Sequence, residues 1–147
     1  MFYRKKDLYW TDLQLTQEYL YQSEERFRQL AENAPDIIYE LQLSPEMKCN
    51  YVSPAVINIT GHTPEDFYHD PNFIRKITHP GDIAQYNKLI SGGIDPAESI
   101  TMRWFHKEKQ ALWMEIKGVL IFDSNQKSVA LEGMARNITA GLRWKRI

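Results

Sequence analysis

Apolar and polar positions change period along this chain, and the changes mark its elements. From Met1 to Ala34 no glycine or proline interrupts a run rich in Leu, Glu, Gln and Arg, which favours helix. Leu13, Leu20 and Phe27 recur every seven residues and Leu30 follows three later, an apolar stripe on one helix face. Thr16 and Ser23 fall where a coiled-coil seam wants apolar residues, and the pattern leaves room for a kink near Gln22-Ser23. Pro35 pushes Ala34 out of the helical region and closes the segment.

From Ile37 the period becomes two. Ile37, Tyr39, Leu41 and Leu43 point one way and Ile38, Glu40 and Gln42 the other, as in a half-buried strand. Ser44-Pro45-Glu46 is a turn, and Met47 to Val52 is a partner strand. Ser53-Pro54 reads as a helix start, with Ser as cap and Pro in the first turn. Gly61 ends that short helix, and Thr63-Pro64-Glu65-Asp66 repeats the device. Asp70-Pro71 and His79-Pro80-Gly81-Asp82 punctuate further short helices, the last stopping near Gly92-Gly93. Strands follow over Ser99 to His106, Ala111 to Phe122 and Ser128 to Thr139, with connections of hairpin length between them. Ala140 to Ile147 reads as the start of another helix. The order lacks βαβ alternation, so an α+β architecture is expected: a five-stranded antiparallel sheet with the helices of residues 53–92 on one face.

Composition narrows the function. The chain has 147 residues, 43% of them hydrophobic and 25% charged, enough to bury roughly 70% of its unfolded surface. A formal net charge of −1 lacks the basic excess of a nucleic-acid binder. Cys49 is the only cysteine, which excludes an internal disulfide and fits a reducing compartment. The longest aliphatic run, Val119 to Phe122, is far too short to span a bilayer. The opening Met-Phe-Tyr-Arg-Lys-Lys-Asp lacks the apolar stretch of a signal peptide. A cytoplasmic chain, or the cytoplasmic piece of something larger, is expected.

Local sequences then converge on one family. Ser23 to Asp36 (SEERFRQLAENAPD) resembles the opening of many bacterial and archaeal PAS domains. Tyr51-Val52-Ser53-Pro54-Ala55 and Thr60 to Phe67 (TGHTPEDF) resemble the second strand and first core helices of that sensory-box family. Ile77 to Asp82 resembles its His-Pro-x-Asp segment. Met102-Arg103-Trp104 with Leu112-Trp113-Met114-Glu115 resembles the central hairpin. Glu132 to Thr139 (EGMARNIT) resembles the PAC-like closing strand with its Asp-Ile-Thr exit. The match runs from about Ser23 to Thr139. It departs from the family at two places: the hairpin turn lacks Asp-Gly, which bears on turn geometry, and Asn137 stands where Asp is common, so the exit lacks that charge.

The resemblance implies a PAS fold over residues 35–139. It also implies a signalling or dimerisation helix over 1–34 and the start of a linker to an output domain over 140–147. It implies a sensory and relay role in a multidomain signalling protein, a histidine kinase of two-component type or a diguanylate cyclase, and no catalysis by this chain. The alternative is a small cone-shaped α+β enzyme such as an isomerase. That requires an inward acid or base, for which Tyr39 and His106 are the candidates.

The cofactor motifs of the family are missing. His62, His69, His79 and His106 make no i, i+4 pair and Cys49 has no second thiol nearby, so no metal site is expected. Haem would need a helix histidine, His69 or His79; His79 reads more simply as shaping the turn before Pro80. Flavin-binding relatives carry a reactive cysteine in Asn-Cys-Arg-Phe on a core helix, whereas Cys49 sits on a strand. Neither haem nor flavin is expected. Alternation places Met102, Trp104 and His106 on one face with Met114, Ile116 and Leu120. With Tyr39, the residues Met102, Trp104, Met114, Ile116 and Leu120 are the candidate ligand wall, open to a small unidentified molecule; the plainer reading is a packed core. Trp113, Val119 and Ile121 face the other way. Trp113 and Ile121, with Leu13, Leu20, Phe27 and Leu30, are the candidate packing residues of a homodimer. No nucleic acid and no membrane insertion are expected.

Overall fold

The computed structural model describes residues 5–92 and 95–145. Its elements are α1 (Lys5–Asn33), β1 (Ile37–Gln42), β2 (Lys48–Val52), α2 (Ala55–Thr60), α3 (Pro64–His69), α4 (Phe73–Ile77) and a 3-10 turn (Pro80–Asp82). Then come α5 (Ile83–Ile90), β3 (Ile100–Phe105), β4 (Ala111–Phe122), β5 (Ser128–Asn137) and α6 (Thr139–Lys145). Helix α1 and the body from Ala34 onward are separate compact units.

α1 runs through Gln22-Ser23 without a break. The uninterrupted helix-forming sequence outweighs the weak Ser23 position. The first four residues of the expected helix lie outside the described residues. Along α1 the exposed apolar side chains include Leu15, Tyr19 and Tyr21 besides Leu20, Phe27 and Leu30. The apolar positions are therefore broader than a single narrow stripe.

The body is a five-stranded sheet in the order β2-β1-β5-β4-β3, with every pair antiparallel. The fold is the expected α+β arrangement. Between residues 63 and 92 the only bridge among the described residues is a single antiparallel one, Thr78 to Trp104. Inward side chains of the sheet, Ile37, Leu41, Met102, Met114, Ile116 and Leu131, meet Val56, Phe67 and Leu89 from the helices in one core. A buried leucine- or phenylalanine-sized side chain contributes roughly 1.5–3 kcal/mol.

The caps divide. Thr63 accepts from Asp66 N–H while Asp66 accepts from Thr63 N–H, a capping box with Pro64 in the first turn, as expected. Ser53, expected to cap α2, does not. Pro54 holds the cap position without a side-chain bond, and Ser53 Oγ accepts from Ile38 N–H at 2.8 Å. The serine thereby joins β1 to the end of β2.

Both hairpins of the β3-β4-β5 meander close the same way. His106 N–H donates to Gln110 O and Lys109 N–H to His106 O; Asp123 N–H donates to Lys127 O and Gln126 N–H to Asp123 O. Lys109 (φ +76°) and Gln126 (φ +61°) take the left-handed conformation that glycine adopts freely. The missing Asp-Gly thus changes the residue and keeps a tight turn. His106 Nδ1 accepts from Glu108 N–H as Asp123 Oδ1 accepts from Asn125 N–H, so the histidine serves as a turn residue.

Candidate functional site

Three parts of the body bear on function: the inner wall of the sheet, the joint between the helices and β3, and the exit into α6. The inner wall is crossed by one row. Tyr39 pairs with Gly133 in β5, and Gly133 pairs with Gly118 in β4. The tyrosine reaches over both glycines, and its hydroxyl donates to Lys117 O at 2.8 Å. Burial pushes that hydroxyl well above the usual tyrosine range.

Beneath the helices lies a cavity of about 10 Å3, room for about one water molecule. Its wall is made by Ile37, Tyr39, Leu41, Cys49, Val52, Phe67, Ile74, Leu89, Trp104 and Ile116. No Asp, Glu or His lines it. Cys49 Sγ donates to Tyr51 O at 3.4 Å, and burial pushes its thiol up to about 12, which suppresses the reactive thiolate. Two buried threonine hydroxyls are tied to backbone: Thr60 Oγ1 donates to Val56 O at 2.6 Å and Thr78 Oγ1 to Ile74 O at 2.7 Å. Trp104 Nε1, buried, has no hydrogen-bond partner among the described residues.

The joint is electrostatic. Arg103 Nε donates to Asp82 Oδ2 at 2.8 Å and its Nη2 to Oδ1 at 3.1 Å. Asp82 Oδ2 also accepts the Arg103 backbone N–H at 2.8 Å. The guanidinium bonds hold the Asp82 carboxyl below its ordinary range against the opposing effect of burial. His79 flanks the pair: its N–H donates to Arg103 O at 2.9 Å, and its Nδ1 accepts from Gly81 N–H. On the outer face the same guanidinium lies 5.1 Å from the Trp113 ring centroid, its cross-strand neighbour.

At the exit, Trp113 offers its backbone. Its N–H donates to Thr139 Oγ1 at 2.9 Å and its carbonyl accepts from Ile138 N–H at 2.9 Å. Asn137 Oδ1 accepts from Thr139 Oγ1 at 2.6 Å and from Thr139 N–H at 3.1 Å. Asn137 therefore supplies the hydrogen-bond geometry of a helix start without a charge.

Of the candidate wall residues, Tyr39, Trp104 and Ile116 line the cavity. Met102 and Met114 are fully buried in the core, and Leu120 is partly buried against it. Leu13 is half-buried on α1, while Leu20, Phe27 and Leu30 are exposed. Trp113 and Ile121 lie half-buried on the outer sheet face, beside exposed Val119 and Phe122. The sequence reading missed the Asp82–Arg103 pair and the facing glycines. It also missed Glu40 and Glu132, which stand directly opposite on the outer face. The Glu132 carboxyl is raised chiefly by its hydrogen bond to Glu40, with burial and repulsion adding. Gly118 and Gly133 inside alternating strands were the signal available, since strand glycine marks a close approach.

Neither His69 nor His79 lines this cavity, and Cys49, which does, lies on β2 and not on a core helix. Among the described residues no group of His, Cys, Asp and Glu is placed to hold a metal ion, and no helix is long and apolar enough to cross a membrane.

An antiparallel five-stranded sheet, short helices over one face and an exit helix tied to β4 define a sensory-domain architecture. The family model of the PAS fold matches residues 50–135, more than half of the chain, and the chain belongs to that family. Three solved structures illustrate the likeness. An RNA-binding light-oxygen-voltage receptor aligns with TM-score 0.64 and 17% identity over 81% of this chain and 34% of its own. The chain thus spans about a third of that receptor. The N-terminal PAS/PAC sensor domain of a Marinobacter aquaeolei diguanylate cyclase aligns with TM-score 0.63 and 17% identity, over 73% of this chain and 98% of its own. A domain of a putative light- and redox-sensing histidine kinase from Haloarcula marismortui gives TM-score 0.60 and 24% identity, over 78% and 99%. No curated protein sequence matches the chain.

Proposed function

We propose that the chain is a sensory and signal-relay module of a multidomain signalling protein, covalently joined after residues 140–147 to an output domain of histidine-kinase or diguanylate-cyclase type. It performs no catalysis itself. The observation that carries the reading is a continuous series of contacts from the helical layer to the exit: Asp82 to Arg103, Arg103 to Trp113, Trp113 to Thr139, and Thr139 to Asn137. A displacement of the helices over the cavity moves the 3-10 turn. The bidentate ion pair passes that movement to β3, and Trp113 passes it to the start of α6. Supporting the output assignment are the cyclase and kinase origins of structures with this fold.

In this reading residues 1–34 are the signalling helix and 35–139 the sensor. Tyr39, Met102, Trp104, Met114, Ile116 and Leu120 are the ligand-facing wall, without haem or flavin. Two copies associate in the cytoplasm through Leu13, Leu20, Phe27 and Leu30 and through Trp113 and Ile121 of the outer face.

Amide hydrogen exchange tests the relay. Arg103→Met is expected to speed exchange at Ile138 and Leu142 by about fivefold, within the energies usual for such coupling. Asp70→Asn, which breaks the Asp70–Lys76 pair in the same helical layer, is expected to leave both amides unchanged. Equal effects from the two variants, or none from Arg103→Met, defeat the relay reading.

A further inference from the structure

Two hairpin turns of the same build differ at one place. In the β4-β5 turn Asp123 Oδ1 accepts from Asn125 N–H at 2.8 Å. In the β3-β4 turn the matching place belongs to His106, whose Nδ1 accepts from Glu108 N–H at 3.0 Å. A carboxylate accepts throughout the neutral range. An imidazole nitrogen accepts only while it carries no proton, because both ring nitrogens of the cation are donors. Histidine is also the side chain that changes charge between pH 5 and 8.

The β3-β4 turn is fastened to the helical layer. Lys107 N–H donates to Thr60 O at 2.8 Å, which joins the turn to the end of α2. A Cβ on Gly61 would lie 2.9 Å from His106 Cε1, so the ring is seated on that glycine. His62 sets its Nε2 3.2 Å from Phe105 O, and the His79 ring stacks on Phe105 with 5.5 Å between centroids. The tip of β3 thus meets histidines from two segments of the helical layer.

A proton acts differently on each of the three. His62 faces a carbonyl, to which a protonated ring still donates. His79 Nδ1 accepts from Gly81 N–H at 2.9 Å and loses that bond in the cation. A positive ring there is attracted by the Asp82 carboxylate and opposed by Arg103, whose Nη2 shares the surroundings of Gly81. At His106 the charged and titratable neighbours are Lys107, Glu108 and Lys109, exposed on its own turn, and His62 next to Gly61. Two lysines against one glutamate leave a positive ring in a positive surrounding, with its turn bond lost as well.

We infer that His106 is a proton-sensitive latch: its neutral ring closes the β3-β4 turn onto the end of α2, and its protonation frees the Glu108 N–H and loosens the turn from that helix. The latch gives the helical layer a response to acid that needs no bound molecule and is separate from the Asp82–Arg103 contact.

Amide protection in the 15N-labelled full chain, corrected for the intrinsic pH dependence of exchange, is compared at pH 8 and pH 5. The Lys107 and Glu108 amides are expected to lose about fivefold in protection on acidification, the usual worth of one neutral hydrogen bond, while Asn125 in the sister turn loses none. His106→Asn keeps an acceptor of the kind such turns use and is expected to hold both amides protected at either pH. His106→Ala is expected to leave them equally exposed at both. Unchanged protection of Glu108 between pH 8 and pH 5, the same loss at Asn125, or a pH dependence that persists in His106→Asn overturns the latch.

Discussion

The Tyr39 hydroxyl donates to the Lys117 carbonyl at 2.8 Å, spanning from β1 across β5 to β4. It can do so because the two positions beneath it are glycines. A Cβ on Gly133 would lie 1.9 Å from Lys117 O and 2.7 Å from Tyr39 Oη; one on Gly118 would lie 2.8 Å from Tyr39 Oη. Glycines weaken a strand, and an aromatic ring laid over them restores the lost cover.

Gly133→Ala is therefore expected to cost about 3 kcal/mol or more, because the obstructing atom is backbone. Tyr39→Phe keeps the ring and loses one hydrogen bond, at about 1 kcal/mol. Urea denaturation of the three proteins checks the order. A Gly133→Ala midpoint close to that of the unaltered chain contradicts the tight crossing.

Glu40 and Glu132 face each other across β1 and β5, and like charges directly opposite are unfavourable by roughly 0.2–1 kcal/mol. The folded-state pKa of Glu132 is raised. Its contribution is thus fully present below the unfolded glutamate value and is lost as pH rises through the folded one. Glu132→Gln is expected to stabilise the domain at pH 7 by about 0.5 kcal/mol, with the gain vanishing near pH 4. Thermal unfolding at the two pH values measures this. An equal gain at both would mean that the carboxylates do not interact.

At the β3-β4 turn Lys109 holds φ +76°, at a steric cost of about 1–2 kcal/mol for a side chain with Cβ. Glycine removes that cost and loses about 0.5–1 kcal/mol to its greater freedom when unfolded. Lys109→Gly is expected to raise stability by about 0.5–1 kcal/mol. A Lys109→Val change, β-branched, is expected to lower it. Denaturation midpoints decide, and a loss on Lys109→Gly would show that the lysine side chain does more than occupy the turn.

Strand alternation and turn residues made the sheet legible before any coordinates. Ile37, Tyr39 and Leu41 read as inward and are inward; Thr63-Pro64-Glu65-Asp66 read as a helix start and is one. Ser53 misled because serine before proline is a common cap, while its partner, Ile38 N–H, lies fifteen residues back on another strand. Arg103 drew no separate reading, since nothing local says that Asp82 will be opposite. Facing residues such as Glu40 and Glu132 depend on strand order, and β5 lies between β1 and β4 only in three dimensions. The emptiness of a cavity is a sum over ten side chains, and alternation fixes their direction but not their fit.

The way the exit is fastened bears on how such a module can be recombined. Trp113 holds Ile138 and Thr139 through main-chain N–H and C=O groups, and any residue but proline supplies both groups at position 113. The junction therefore demands little of the sequence before it and only a hydroxyl at position 139 plus an acceptor at 137 of the sequence after it. Cutting beyond Thr139 and splicing on a foreign helix leaves every one of those bonds available, which makes this the natural seam for building chimaeric receptors.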